Sequence, residues 1–153
     1  MNNDAVPTIL LENVFTVAAT PEALIAHLAE PTNYIGLSSQ VVAVDNIRTI
    51  DDTVHYVAVE RLRLFGFLRY HNRIAVTLRA GKDRVWGEVV SPGGVRIDYG
   101  YTFVPDGDTT SVTDTMRLRV PFGLGRFAAG QARAVQLTRG KRLAERLEGR
   151  TTA

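Results

Sequence analysis

From Pro121 to Arg150 the chain follows a helical period, and the stretch from Gln40 up to that point reads as strand after strand. A lone long helix behind an antiparallel run can hide its apolar stripe most economically on the concave face of the sheet those strands build. That placement tends to leave a pocket between sheet and helix. A fold argument thereby becomes a ligand argument, although it does not name the ligand.

The bulk of the chain fits this picture. At 153 residues it reads as one domain, with a core over about residues 7 to 148, large enough to bury roughly 70% of its extended-chain surface. Eighteen Lys plus Arg against 16 Asp plus Glu leave a formal net charge of only +2, so the charge balance does not imply a nucleic-acid partner. With no Cys, disulfides, a thiolate nucleophile and a Cys-based zinc site are excluded. The polar start and the lack of an 18-residue apolar run predict a cytoplasmic protein.

Along the chain, Ile9, Leu11, Phe15 and Val17 alternate in a first strand over Thr8 to Val17. The period then switches. Thr20 is a candidate N-cap, Pro21 suits the first helical position, and Ala23, Leu24 and Leu28 share one face. This helix should stop before Pro31, with a second short one around Asn33 to Leu37. Six strands follow, with breaks near Asp51-Asp52, Phe65-Gly66-Phe67, Gly81-Lys82, Ser91 to Gly94 and Pro105 to Asp108.

Loop lengths make the registers testable. A three-residue turn at Phe65 to Phe67 sets Leu62 opposite Tyr70, Glu60 opposite Asn72, Ala58 opposite Ile74 and Tyr56 opposite Val76. The other face then pairs Arg63 with Arg69 and Arg61 with His71. A two-residue turn at Gly81-Lys82 would give Leu78 with Val85 and Val76 with Gly87. A four-residue turn at Pro105 to Asp108 would give Tyr101 with Val112, Tyr99 with Asp114, Ile97 with Met116 and Val95 with Leu118. One apolar face survives all three hairpins, and agreement between levels is the stronger argument.

The order β, two helices, six β, long helix resembles the helix-grip proteins of the Bet v 1-like, START-related superfamily (SRPBCC), which includes polyketide cyclases and lipid-transport domains. Val14 to Leu24 is similar to the strand that runs into a small-Pro-Glu helix start there, and Glu30-Pro31-Thr32-Asn33-Tyr34 is similar to its Asp-Pro-x-x-Tyr step. Where many bacterial relatives carry a Trp soon after that Tyr, this chain has Gly36-Leu37. The resemblance spans nearly the whole chain and rests on fold-marking residues alone. It implies an α+β fold in which a curved antiparallel seven-stranded sheet wraps the C-terminal helix around an apolar cavity.

The residues nominate what lines that cavity. In the last helix Leu124, Phe127, Ala128, Gln131, Ala134, Val135 and Thr138 fall on one face, with a change of direction toward Leu143 and Leu147 past Arg139-Gly140. On the sheet, the polar exceptions of the inner face are Tyr56, Glu60, Tyr70, Asn72, Tyr99, Tyr101 and Asp114. Buried carboxylates need partners, so Glu60 beside Asn72 and Asp114 beside Tyr99 read as pairs, either structural or catalytic. Gly87 makes room for the Tyr99 ring.

Three functions stay open at this point. The first is binding of a small hydrophobic ligand, a lipid, polyketide or similar molecule, oriented by Tyr56, Tyr70, Tyr99, Tyr101 and Gln131. The second is an aromatase/cyclase-type enzyme with Asp114 or Glu60 as general base and a tyrosine as acid. The third is a protein-interaction module. Arg61, Arg63, Arg69 and Arg73, joined by Phe65 and Phe67, form a basic face with an aromatic tip. It fits a solvated edge, a homodimer contact, or a transient membrane-surface or protein contact. His27, His55 and His71 are scattered, with His27 expected at the surface or an edge, so no metal is expected. No phosphate or dinucleotide fingerprint calls for a cofactor.

Overall fold

The computed structural model describes residues 8–64, 68–121, 123 and 125–148. β1 (Thr8–Val17) leads into α1 (Pro21–Leu28) and a single 3₁₀ turn (Pro31–Tyr34). Then come β2 (Val41–Ile50), β3 (Thr53–Leu64), β4 (Leu68–Ala80), β5 (Arg84–Val90), β6 (Arg96–Asp106), β7 (Thr109–Arg119) and α2 (Gly125–Glu148). All seven strands join one antiparallel sheet in the order β1-β7-β6-β5-β4-β3-β2. This is an α+β, helix-grip arrangement.

Local chemistry accounts for the start of α1. Thr20 is extended, its hydroxyl accepts from the Ala23 amide at 3.2 Å, and Pro21 takes a position whose missing N–H costs nothing. The second helical segment is shorter and earlier than Asn33 to Leu37. Pro31 starts it, Glu30 caps it by accepting from Thr32, and the chain turns extended again at Ile35. Leu37 is buried beyond it as a core side chain.

The β3-β4 register is as expected, with Glu60 opposite Asn72 and Tyr56 opposite Val76. The next two hairpins are each displaced by two residues. At β4-β5 the loop is four residues, closed by the Gly81 amide on the Arg84 carbonyl at 2.8 Å, so Val76 faces Val89 rather than Gly87. At β6-β7 the turn is two residues, Gly107 taking the left-handed φ of 61° that such a hairpin uses, so Tyr101 faces Asp114 and Tyr99 faces Met116. An even displacement leaves every side chain on the same face. The inner face therefore stands while two pairings change.

α2 lies against β1 and β7. Gly140 lets the helix pack tightly there, since a Cβ would stand 3.0 Å from Asn13 Nδ2 and 3.1 Å from the Phe15 ring. Beyond it Leu143 and Leu147 join Leu24 and Leu28 of α1 in the core. The buried face of the helix is Gln136, Arg139, Gly140, Leu143 and Leu147. The expected stripe holds in part: Phe127, Ala128, Gln131 and Val135 border the space under the sheet, whereas Ala134 is exposed, Thr138 does not border it, and Leu124 falls outside the described residues. The helix runs on without interruption past Gly140 while its neighbours change. Arginines near its end hold the 3₁₀ turn and the segment after it, Arg146 donating to the carbonyls of Asn33 (2.6 Å) and Ile35 (2.9 Å), and Arg142 to that of Gly36 (2.6 Å). His27 belongs to this contact and is buried, with Nε2 3.3 Å from Arg146 Nη1, rather than at the surface.

Candidate functional site

A single helix packed on the β1-β7 side leaves the concave surface of β3 to β6 uncovered. A cavity of about 360 Å³ occupies that space. Most of its wall is apolar, from Ala58, Ile74 and Val76 on β3 and β4 to Ile97, Met116 and Leu118 on β6 and β7. Helix residues Phe127, Ala128, Gln131, Ala132 and Val135 form the facing wall. Tyr70 (42% exposed) and Phe127 mark where the cavity meets solvent.

One polar region of the cavity is a group of phenols around a buried cation. Tyr34, Tyr56, Tyr99, Tyr101 and Arg139 all line it. Tyr34 donates to the Leu28 carbonyl at 2.8 Å and Tyr99 to the Thr77 carbonyl at 2.7 Å. Gly87 permits the second bond, because a Cβ there would stand 1.8 Å from Thr77 O and 2.7 Å from the Tyr99 hydroxyl. Tyr99 and Tyr101 meet edge to face at 6.2 Å. Burial raises all four phenols well above their ordinary pKa, and the Arg139 charge offsets only part of that shift.

Arg139 was not foreseen as a site residue. Its Nε donates to Asp114 Oδ2 at 3.1 Å and its Nη2 to Oδ1 and Oδ2 at 3.1 and 2.8 Å, while the guanidinium carbon lies 5.3 Å from the Tyr101 ring centroid. Burial by itself would favour losing the proton, but the Asp114 carboxylate more than offsets this and holds the guanidinium charged. Gln136 completes the unit, donating to the Asp114 backbone carbonyl at 2.9 Å and accepting from Arg133 at 3.0 Å. The available signal was spacing: Gln136, Arg139, Gly140, Leu143 and Leu147 recur at helical intervals on one face. The polarity of Gln136 and Arg139 argued for solvent.

Of the nominated residues, Tyr56, Glu60, Tyr70, Tyr99, Tyr101, Phe127 and Gln131 line the cavity. Asn72 and Asp114 do not line it. Asn72 stands behind Glu60 and donates to Ser91 Oγ at 3.1 Å. Asp114, fully buried, pairs with Arg139 and lies across from Tyr101, not Tyr99. Among the described residues Glu60 is thus the carboxyl at the cavity wall. Burial raises its pKa, and a hydrogen bond from Asn72 offsets part of the shift.

On the outer surface Arg61 and Arg69 are exposed, whereas Arg73 pairs with Asp45 at 3.1 Å. The Arg63 side chain and the tip residues Phe65 and Phe67 lie outside the described residues. Among the described residues no cluster of His, Asp or Glu could hold a metal, and no helix is long and apolar enough to cross a membrane.

No family model and no curated protein matches the sequence. Solved structures do match in shape. The Zhui aromatase/cyclase from Streptomyces sp. R1128 superposes with a TM-score of 0.78 at 12% identity, over 96% of this chain and 98% of that one. A START superfamily protein from Mycobacterium smegmatis gives 0.74 at 13% identity, over 92% and 97%. The Bet v 1-type allergen Ara h 8.0201 gives 0.62 at 5% identity, over 90% and 98%. At these identities the likeness is one of fold.

Proposed function

We propose that this chain, which has the helix-grip fold of the Bet v 1-like, START-related superfamily, binds a small hydrophobic molecule between its sheet and its C-terminal helix. The observation that carries the proposal is the cavity of about 360 Å³ with apolar walls and a few convergent polar groups. A volume of that size lies in the range of small-molecule sites, and walls of this kind select by shape while the polar groups orient. The solved structures support it at the level of fold. Extraction of the natively purified protein followed by mass spectrometry tests the proposal, with a denatured and refolded sample as control. A stoichiometric apolar compound released only from the native sample is the expected result. Apolar probes that fail to bind the refolded protein in calorimetry would overturn it.

One observation favours a second reading, an aromatase/cyclase-type catalyst. The Glu60 carboxyl lines the cavity with its pKa raised by burial, the direction of shift that suits a carboxyl to general acid-base work. Asp114 is a weaker candidate, because Arg139 occupies both its oxygens. On this reading Glu60→Gln abolishes turnover of a poly-carbonyl substrate while leaving its affinity within about threefold, general acid-base groups being worth roughly 10²–10⁴ in rate. Unchanged turnover would remove Glu60 from the chemistry.

A further inference from the structure

The hydrogen-bonding capacity at the Tyr-Arg region of the cavity is unevenly spent. Tyr34 and Tyr99 have committed their protons to backbone carbonyls. The Tyr101 hydroxyl is buried beside that of Tyr34 with no hydrogen-bond partner of ordinary geometry, and the residue is 1% exposed. The Tyr56 hydroxyl has no partner among the described residues either. Arg139 directs Nε and Nη2 at Asp114 and Met116, which leaves Nη1 without a protein acceptor. Of these three donors the Tyr101 hydroxyl is the fully buried one without an acceptor, and a buried donor without one is costly; Tyr56 and Arg139 line the same cavity.

We infer that this region is a subsite for a neutral acceptor oxygen, so that the ligand is an apolar molecule carrying a ketone or similar uncharged carbonyl rather than a carboxylate. The inference rests on the cavity being the ligand site. Arg139 is already neutralised by Asp114 at 2.8 Å. A second carboxylate brought into the same apolar space would be desolvated with no counter-charge of its own. A carbonyl oxygen has two lone pairs and no charge to desolvate, and it can accept from Tyr56, from Tyr101 or from Arg139 Nη1.

The test uses three probes of one shape: naphthalene, methyl naphthyl ketone and naphthoate, titrated by calorimetry at about pH 8, where the acid is ionised. The ketone is expected to bind about tenfold more tightly than naphthalene and than naphthoate, as one or two well-placed hydrogen bonds would give. In Tyr56→Phe/Tyr101→Phe that advantage over naphthalene should fall below about threefold while naphthalene binds as before. Tyr101→Phe removes a hydroxyl that makes no hydrogen bond of ordinary geometry, so the variant is expected to fold. Naphthoate binding best overturns the inference, as does a ketone preference undiminished by the double substitution, since Arg139 Nη1 alone would keep only part of it, or an equal loss for naphthalene. Ketone and naphthalene binding alike to the unmodified protein overturns the subsite and leaves the cavity reading standing. Binding of none of the three overturns both.

Discussion

Asp114 and Arg139 are groups that an apolar interior rejects singly and admits together. Each oxygen of the carboxylate and two of the three guanidinium nitrogens are satisfied within the pair, and Gln136 fixes the backbone beside it. Replacing one member leaves the other as an uncompensated buried charge, so Asp114→Asn should cost about 3–5 kcal/mol in urea denaturation. Asp114→Asn/Arg139→Met should recover a large part of that loss, because no charge then remains to desolvate. Equal destabilisation by the single and double variants would mean that packing, not charge, holds the site. Asp114 was legible in the sequence as an inward residue because strand alternation is strict. Its partner was not, because an Arg on a helix is ordinarily solvent-facing and only a specific carboxylate on the sheet reverses that.

At the scale of elements, two glycines in regular structure do opposite things. Gly87 on β5 has Thr77 O so close that any Cβ would collide with backbone, and the ladder between β4 and β5 is interrupted there. Gly130 on α2 is exposed with nothing within 4 Å of its Cβ position. Gly87→Ala should therefore destabilise by about 1–3 kcal/mol through overpacking, while Gly130→Ala should stabilise by about 0.5–1 kcal/mol through helix propensity. Opposite shifts of the thermal midpoint check both, and a neutral Gly87→Ala would show that β4 and β5 can slide apart. The hairpins carry a related lesson. Residue alternation within each strand was readable, and loop length at Gly81 and Gly107 was not, since one intraloop hydrogen bond or one positive φ shifts the partner by two residues without moving any side chain to the other face.

For the whole molecule, the cavity follows from a mismatch of widths. One helix covers β1 and β7, held there by Gly140 and by the Leu143 and Leu147 contacts with α1, and the curved remainder of the sheet encloses space that Arg142 and Arg146 help close by fastening the 3₁₀ turn and the segment after it. No single residue encodes that space. It appears only once the helix is docked on one side, which is why its polar groups could be named as inward while its shape could not.

What the sequence determined by itself was set by local physics: the strand period, the helix start at Thr20-Pro21, the inner face of the sheet, and the presence of a long helix to cover it. Those depend on residues a few positions apart, where sterics and side-chain alternation act directly. Tertiary structure decided which face of α2 is buried, the pairing of Asp114 with Arg139, the burial of His27, and which carboxyl reaches the cavity. Each of these is a contact between residues distant in the chain, and its sign depends on whether a complementary charge or hydrogen bond arrives from elsewhere in the fold.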